Sequence, residues 1–252
     1  MVSKSEIKYF AALKQKKYRK AESLFIAEGK RLVDEGLKSD FECLRVFTTN
    51  HFNDTEEKFI AEIAKLNISI DKISEYDLAK LSSTKNPQGI IAIFKIKDTH
   101  PNIIKNEPII ALEYISDPGN MGTILRSCDW FGIKNVLISK ESADIFNPKV
   151  LRASMGAVFN LNRIDNINLT DELEKLQKKN YLTFYADMKG INYKKIVWQK
   201  NTVVTFCNEA NGPSKALKET CETSLTIPKK GKIESLNVAA AAAVIISEMQ
   251  LY

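Results

Sequence analysis

Long hydrophobic runs are missing from this 252-residue sequence. None approaches the ~20 apolar residues that span a bilayer, so no membrane is expected among its partners. The opening MVSKSEIKYF lacks the uninterrupted apolar core of a secretory leader, and the expected location is the cytoplasm. Cysteine is scarce: Cys43, Cys128, Cys207 and Cys221 form no CxxC pair, and each lies in or beside an apolar stretch. Reduced core thiols and no metal site are the expectation, because closed zinc sites group their Cys and His ligands. With only 10 Gly and 7 Pro, the collagen-like, low-complexity and wholly disordered classes are excluded. No GxxxxGK[ST] loop is present, and Gly119 and Gly122 have no third glycine to complete GxGxxG, so neither an NTPase nor a dinucleotide site is signalled. His51 and His100 are the two histidines, and both precede residue 108. A histidine general base is therefore absent from everything downstream.

What is present is an ordinary globular composition, 44% hydrophobic and 27% charged, with 37 Lys and Arg against 31 Asp and Glu. The resulting charge of +6 favours a polyanionic partner. A prior of ~150 residues per domain suggests two compact units. In the first, SEIKYFAALKQKKYRK has helical spacing, LFIAEG reads as a strand and GKRLVDEGLKS as a helix. LRVFTT, the 53–66 stretch, SEYDLAKLS and GIIAIFKI repeat the alternation, which implies helices on a sheet. KDTHPNIIKNEP then breaks the pattern, so the division is set at 1–98, a linker at 99–107, and 108–252. The second part opens with the strand PIIALEYISD and the helix MGTILRSCDWFG, closed by Gly132 before the strand NVLIS, a βαβ unit. Further strands are expected at YLTFYADM, TVVTFCNE and SLTIP, and a last helix from near Ser235 through AAAAAVIISEM.

Three segments of the second part place polar groups where strands end, the position at which open α/β sheets bind ligands. In DPGNMGTILR, Asn120 can be a helix cap and Arg126 lies off the apolar stripe. In NEANGPS, Glu209 is a lone acid after a buried strand, and Pro213 can open a helix. In IPKKGKIESLNVAAA, Ser235 and Asn237 precede the alanine-rich helix. Taken singly, each fits a cap or solvated turn as well as a functional site.

Together and in order, DPGNMGTILRSCDWFG, CNEANGPSKAL and IPKKGKIESLNVAAAAA closely resemble the three motifs of the SpoU (TrmH) family of RNA 2'-O-methyltransferases. NPKVLRASMGAVFNL is similar to the stretch between the first two motifs, and FIAEGKRLVDEGL with LSSTKNPQGIIAIF to the substrate-binding domain that often precedes them. The resemblance implies an α/β protein whose C-terminal SPOUT domain carries a trefoil knot, preceded by a smaller α/β RNA substrate-binding domain. It implies S-adenosylmethionine as cofactor and a homodimer, for which the apolar tail VIISEMQLY is a physical motive. Carried over by motif, Arg126, Asn120, Glu209, Ser235 and Asn237 form the catalytic constellation, and Cys207, Gly212, Ile227 and Leu236 contact the cofactor. Cys207 and Asn208 stand where the family often has a glycine and a small or polar residue, and Lys229 where an apolar residue is usual.

On the substrate side, Lys14, Lys16, Lys17, Arg19 and Lys20 surround Tyr18, and Lys30 and Arg31 follow. Such a run can be a solvated helix face, or it can bind RNA phosphates while the aromatic stacks on an unpaired base. With the resemblance, Lys14, Lys16, Lys17, Arg19, Lys30 and Arg31 become expected RNA contacts. The expectation is methylation of a ribose 2'-hydroxyl in ribosomal RNA; the alternatives are a tRNA 2'-O-methyltransferase or a non-catalytic assembly factor.

Overall fold

The computed structural model describes residues 2–97 and 104–249. Residue 1, residues 98–103 with His100 and most of the expected linker, and residues 250–252 of the apolar tail lie outside them. The chain forms two compact units, Met1–Asp98 with Asp144–Phe159, and Thr99–Ala143 with Asn160–Tyr252.

In the first unit, Ser3 opens α1 (Lys4–Ala12) with a capping box to Glu6. The helix expected as continuous through Lys20 breaks at Leu13–Gln15, and α2 (Lys16–Glu22) ends at Ser23 in the left-handed region. Then come β1 (Leu24–Glu28), α3 (Lys30–Lys38), β2 (Cys43–Thr48), α4 (Asn50–Thr55), α5 (Glu57–Ala64), β3 (Ile70–Lys72), α6 (Glu75–Leu81) and β4 (Ile90–Lys95). The sheet order is β1-β4-β2-β3, with β4 antiparallel to β1 and β2, and β2 parallel to β3. Period-2 alternation sends Ile26, Ile91 and Ile93 to one face, among Ile7, Phe10, Leu13, Leu78 and Leu81. Phe25 and Phe94 point to the other face, stacked with ring centroids 5.6 Å apart.

That second face is closed by residues the sequence reading assigned to the other domain. Phe146 lies 4.4 Å from Phe25 and Phe159 lies 5.4 Å from Phe94, centroid to centroid. The Pro148–Ser154 helix (α8) between them also lies against β1. Residues 144–159 thus join the first unit because its aromatic face is incomplete without them. Gly36 of α3 makes this approach possible: a Cβ there would sit 2.5 Å from Phe94 Cζ and 2.9 Å from Phe159 Cζ.

The second unit is a six-stranded, all-parallel sheet. In chain order it contains β5 (Ile109–Glu113), α7 (Pro118–Trp130), β6 (Asn135–Ser139), β7 (Asn162–Ile167), α9 (Leu169–Gln177), β8 (Leu182–Asn192), β9 (Thr202–Cys207), α10 (Lys215–Thr220), β10 (Thr223–Thr226) and α11 (Val238–Met249). The sheet order is β10-β8-β9-β5-β6-β7. Every residue of β5, β6 and β9 is buried, as strands covered on both faces require. Neither β7 nor α9 was expected from the sequence.

Two expectations are corrected here. The last helix begins at Val238, not near Ser235. Of the tail offered as an exposed dimer surface, Ile245, Ile246 and Met249 are buried within the chain, and Val244 is 37% exposed. Helix α11 lies against α7 and β9, with Ala239 and Ala242 buried, so the alanine run serves close helix packing. No helix of the described residues is long and apolar enough to cross a membrane.

Candidate active site

The site follows from the sheet order. Strands β5 and β9 are parallel neighbours, but the chain leaves β5 towards β6 on one side and leaves β9 towards β10 beyond β8 on the other. Diverging connections open a crevice at the carboxyl ends of the two strands. Asn120 lies in the first turn of α7, the helix that follows β5, and the loop after β9 carries Glu209.

Helix α7 is capped by Asp117, whose Oδ1 accepts from Asn120 N at 2.8 Å, with Pro118 in the first turn. Asn120 is therefore not the cap of this helix, which was one of the two readings open to it. Its side chain is released for longer-range bonds: Nδ2 donates to Glu209 Oε1 at 3.3 Å, and Oδ1 accepts from Asn237 Nδ2 at 2.9 Å. Asn237 Oδ1 accepts from Ala239 N and Ala240 N at 2.9 and 3.3 Å, capping α11. Glu209 Oε1 also accepts from Val238 N at 2.6 Å, so the carboxylate meets the positive end of the same helix. Asn120 and two side chains 89 and 117 residues further along the chain thereby form one network.

Arg126 and Ser235 stay outside it. Arg126 is exposed on α7, about 9 Å further along the helix axis than Asn120 at 1.5 Å per residue. Its guanidinium has no hydrogen bond or ion pair among the described residues. Ser235 is exposed in the irregular passage before α11, and its hydroxyl is likewise unpartnered among those residues.

The four expected cofactor residues differ in their settings. Cys207 ends β9 buried, beside Glu113 in register. Burial above all, then the Glu113 carboxylate, pushes its thiol far above the usual range, so it is no nucleophile. Gly212 has φ +63°, a conformation that favours glycine, and nothing lies within 4 Å of the place a Cβ would occupy. Ile227 is half-buried and Leu236 is 46% exposed. Between them, residues 227–236 make no backbone hydrogen bond with any described residue. An open glycine turn and a run of uncommitted N–H and C=O groups are each suited to a ligand held through main chain, as the resemblance implies for S-adenosylmethionine.

Glu113 and Asn208 were not singled out from the sequence, yet they fix the loop after β9. Glu113 is 3% exposed and accepts from Ser214 N at 3.0 Å and Ser214 Oγ at 2.7 Å. Asn208 N donates to Glu113 O, and Asn208 Nδ2 donates to Tyr114 O at 3.0 Å and Ser116 Oγ at 3.2 Å. Asn208, a departure from the family pattern, thus ties the two loops together. The available signal for Glu113 was a charged residue closing an otherwise apolar strand.

Among the expected RNA contacts, Arg19 is corrected. It is 2% exposed, donates to Leu13 O and Lys14 O at 2.8 Å, and pairs with Asp144 at 2.5 Å. Lys14 Nζ is spent on Lys80 O at 2.6 Å, and Lys30 pairs with Glu56 at 2.6 Å. Lys16, Lys17 and Arg31 are exposed, and Lys17 lies over the Tyr18 ring at 4.7 Å. Among the described residues, no group of three or more His, Cys, Asp or Glu could hold a metal ion.

The chain is similar to the 23S rRNA (guanosine(2553)-2'-O)-methyltransferase RlmP of Bacillus subtilis, 29% identical over 97% of this chain and 96% of the relative. A TrmH-family structure from Porphyromonas gingivalis superposes with a TM-score of 0.87 at 30% identity, over 99% of this chain and 98% of that one. The AdoMet-bound rRNA methyltransferase of Sinorhizobium meliloti gives 0.84 at 26% identity, over 100% and 97%. Residues 4–92 match the MRM3-like substrate binding domain. The motifs that meet at the crevice lie within residues 107–247, which match the model of the SpoU rRNA Methylase family, and the chain belongs to that family.

Proposed function

We propose that this protein is an S-adenosylmethionine-dependent methyltransferase that modifies a ribose 2'-hydroxyl of ribosomal RNA. The observation that carries this reading is the joining of Asn120, Glu209 and Asn237 from three separate segments at the carboxyl ends of β5 and β9. Bound S-adenosylmethionine would supply an electrophilic methyl group on a sulfonium. We assign Cys207, Gly212, Ile227 and Leu236, acting mainly through main chain, to hold it.

Asn120, Glu209 and Asn237 hydrogen-bond mainly to one another and to the α11 terminus, so their part is positioning. Arg126 keeps its donors free, and a guanidinium with a pKa above ~12 is no resting base. Its service is electrostatic: donating to the 2'-oxygen as negative charge develops there, or aligning a substrate phosphate, with the Ser235 hydroxyl orienting the ribose. We assign residues 1–98 to RNA substrate binding, through Lys16, Lys17 and Arg31, and residues 108–252 to methyl transfer, with residues 144–159 folding against the first. A trefoil knot through the passage before α11, a homodimer and a cytoplasmic location belong to the same reading. Trp130, 80% exposed at the end of α7, replaces the tail as the apolar motive for pairing.

The test is mass-spectrometric mapping of ribose methylation in RNA from cells with and without the protein. Loss of one 2'-O-methyl group from rRNA is expected. Loss from tRNA instead would reassign the substrate, and no loss from either would leave an assembly factor.

A further inference from the structure

The first unit contains a cavity of about 440 Å³ at one end of its sheet, where β1 and β2 end and β4 begins. Its floor is fixed by backbone: Gly29 N donates to Ile90 O at 3.1 Å and Thr49 N to Gly89 O at 3.0 Å. Both glycines have positive φ, +93° and +80°. A Cβ on Gly29 would lie 2.6 Å from Gln88 Oε1, and one on Gly89 would lie 2.8 Å from Phe52 Cβ. Hence neither position accepts a side chain, and the Gln88 amide rests across bare main chain.

The lining mixes polar side chains with the apolar Phe52 and Pro87, and its charges decide what can enter. Lys30 is neutralised by Glu56 at 2.6 Å, which leaves Glu75 as the unbalanced charge, so an RNA phosphate is disfavoured here. Gln88, His51 and Glu75 line the cavity, and none has a side-chain hydrogen bond among the described residues. An amide that both donates and accepts, an imidazole, and a carboxylate that only accepts complement the edge of a neutral heterocycle with N–H donors. Tyr76, one residue beyond Glu75, is 73% exposed, and an exposed aromatic can carry a second base by stacking.

We propose that this cavity binds one unpaired nucleobase of the RNA substrate, preferring bases with an exocyclic amino group, whose N–H donors Glu75 and Gln88 accept. The inference rests on the RNA-modifying function proposed above and adds a base-reading site to it. Phosphate contacts fall to Lys16, Lys17 and Arg31, outside the cavity.

The experiment uses the full chain and fluorescein-labelled single-stranded decamers of A, C and U in anisotropy titrations at several salt concentrations. Oligo(A) and oligo(C) should bind about tenfold tighter than oligo(U). The Gln88→Ala, Glu75→Gln double variant, changed only at exposed side chains, should bind all three equally, with oligo(A) weakened about tenfold. Its slope of log affinity against log salt should be unchanged, because no phosphate contact is lost. Equal binding of the three decamers by the unmodified protein, or discrimination that survives the double substitution, overturns the proposal. A reduced salt slope in the variant also overturns it, by placing a phosphate in the cavity. Calorimetry with S-adenosylhomocysteine on the same samples separates the two readings. Absent binding with base discrimination intact defeats the methyltransferase reading alone, and normal binding without discrimination defeats the cavity alone.

Discussion

Replacing Glu209 tests whether the polar network positions the site or reacts in it. Glu209→Ala leaves Val238 N, the first N–H of α11 and part of a residue only 8% exposed, without its acceptor at 2.6 Å. An unsatisfied buried donor costs ~1–3 kcal/mol, and loss of a negative charge at a helix N-terminus adds ~0.3–1 kcal/mol. The 3.3 Å bond from Asn120 contributes little. Because the carboxylate is exposed and water can reach the vacated place, the low end applies, about 1–2 kcal/mol. For a chain of this size that lowers Tm by ~3–6 °C. Glu209→Gln keeps an oxygen acceptor for Val238 N and loses only the charge, so about 0.5–1 kcal/mol is expected. The assay pairs thermal unfolding with single-turnover methylation of the mapped RNA. A positioning carboxylate predicts graded loss, Ala worse than Gln in both measurements, with methylation down ~10–100-fold for Ala, a larger geometric misplacement than Gln produces. If Gln were as damaging as Ala to methylation while Tm barely moved, the charge itself would act on the substrate and the positioning argument would fail.

Arg126→Ala should slow single-turnover methyl transfer ~100-fold to 1,000-fold, and Arg126→Lys nearly as much, with S-adenosylhomocysteine affinity unchanged; near-normal transfer by the alanine variant would remove Arg126 from the chemistry. Arg19→Ala breaks a buried ion pair and should destabilise by ~3–5 kcal/mol, whereas Lys16→Ala with Lys17→Ala should leave Tm unchanged but flatten the salt dependence of RNA binding. The Glu28 carboxyl, which burial alone would raise, is held below its ordinary value of 4.5 by hydrogen bonds from Ser82, Thr84 and Ser83. Its stabilisation is complete above pH 4.5 and is lost as pH falls through the lower folded value. Acid titration of Glu28→Gln followed by circular dichroism should therefore show a shallower loss of stability over that range than the unmodified protein shows.

The βαβ unit of β5, α7 and β6 was legible because it is written locally, in two apolar strands and the stripe Met121, Ile124, Leu125 and Cys128. Strand β7, NRIDNI, was not, since an edge strand is half exposed and carries no continuous apolar run. Helix α9 does place Leu169, Leu173 and Leu176 on one face, but short helices between polar segments are easily read as loops. In the site, the order of the three motifs led to Asn120, Glu209 and Asn237 before any geometry was known. It could not show that their hydrogen bonds are spent on one another. Arg19 failed for a related reason: its partner Asp144 is 125 residues away, and no local pattern marks which cation of a basic helix turns inward. The same non-locality hid the allegiance of Phe146 and Phe159.

That allegiance has a bearing on how the protein is made. A ribosome releases the chain from its N-terminus, and by the time β4 has emerged every strand of the first sheet is present. Its aromatic face, with Phe25, Phe41 and Phe94, must nonetheless wait for Phe146 and Phe159, about 60 residues later and ~3–12 s at 5–20 residues per second. During that interval the nascent sheet shows an oily ring surface to solvent, while β5, α7 and β6 are still being synthesised. A chaperone that holds aromatic surfaces would find its client here, and a rare-codon pause before residue 144 would lengthen the exposure.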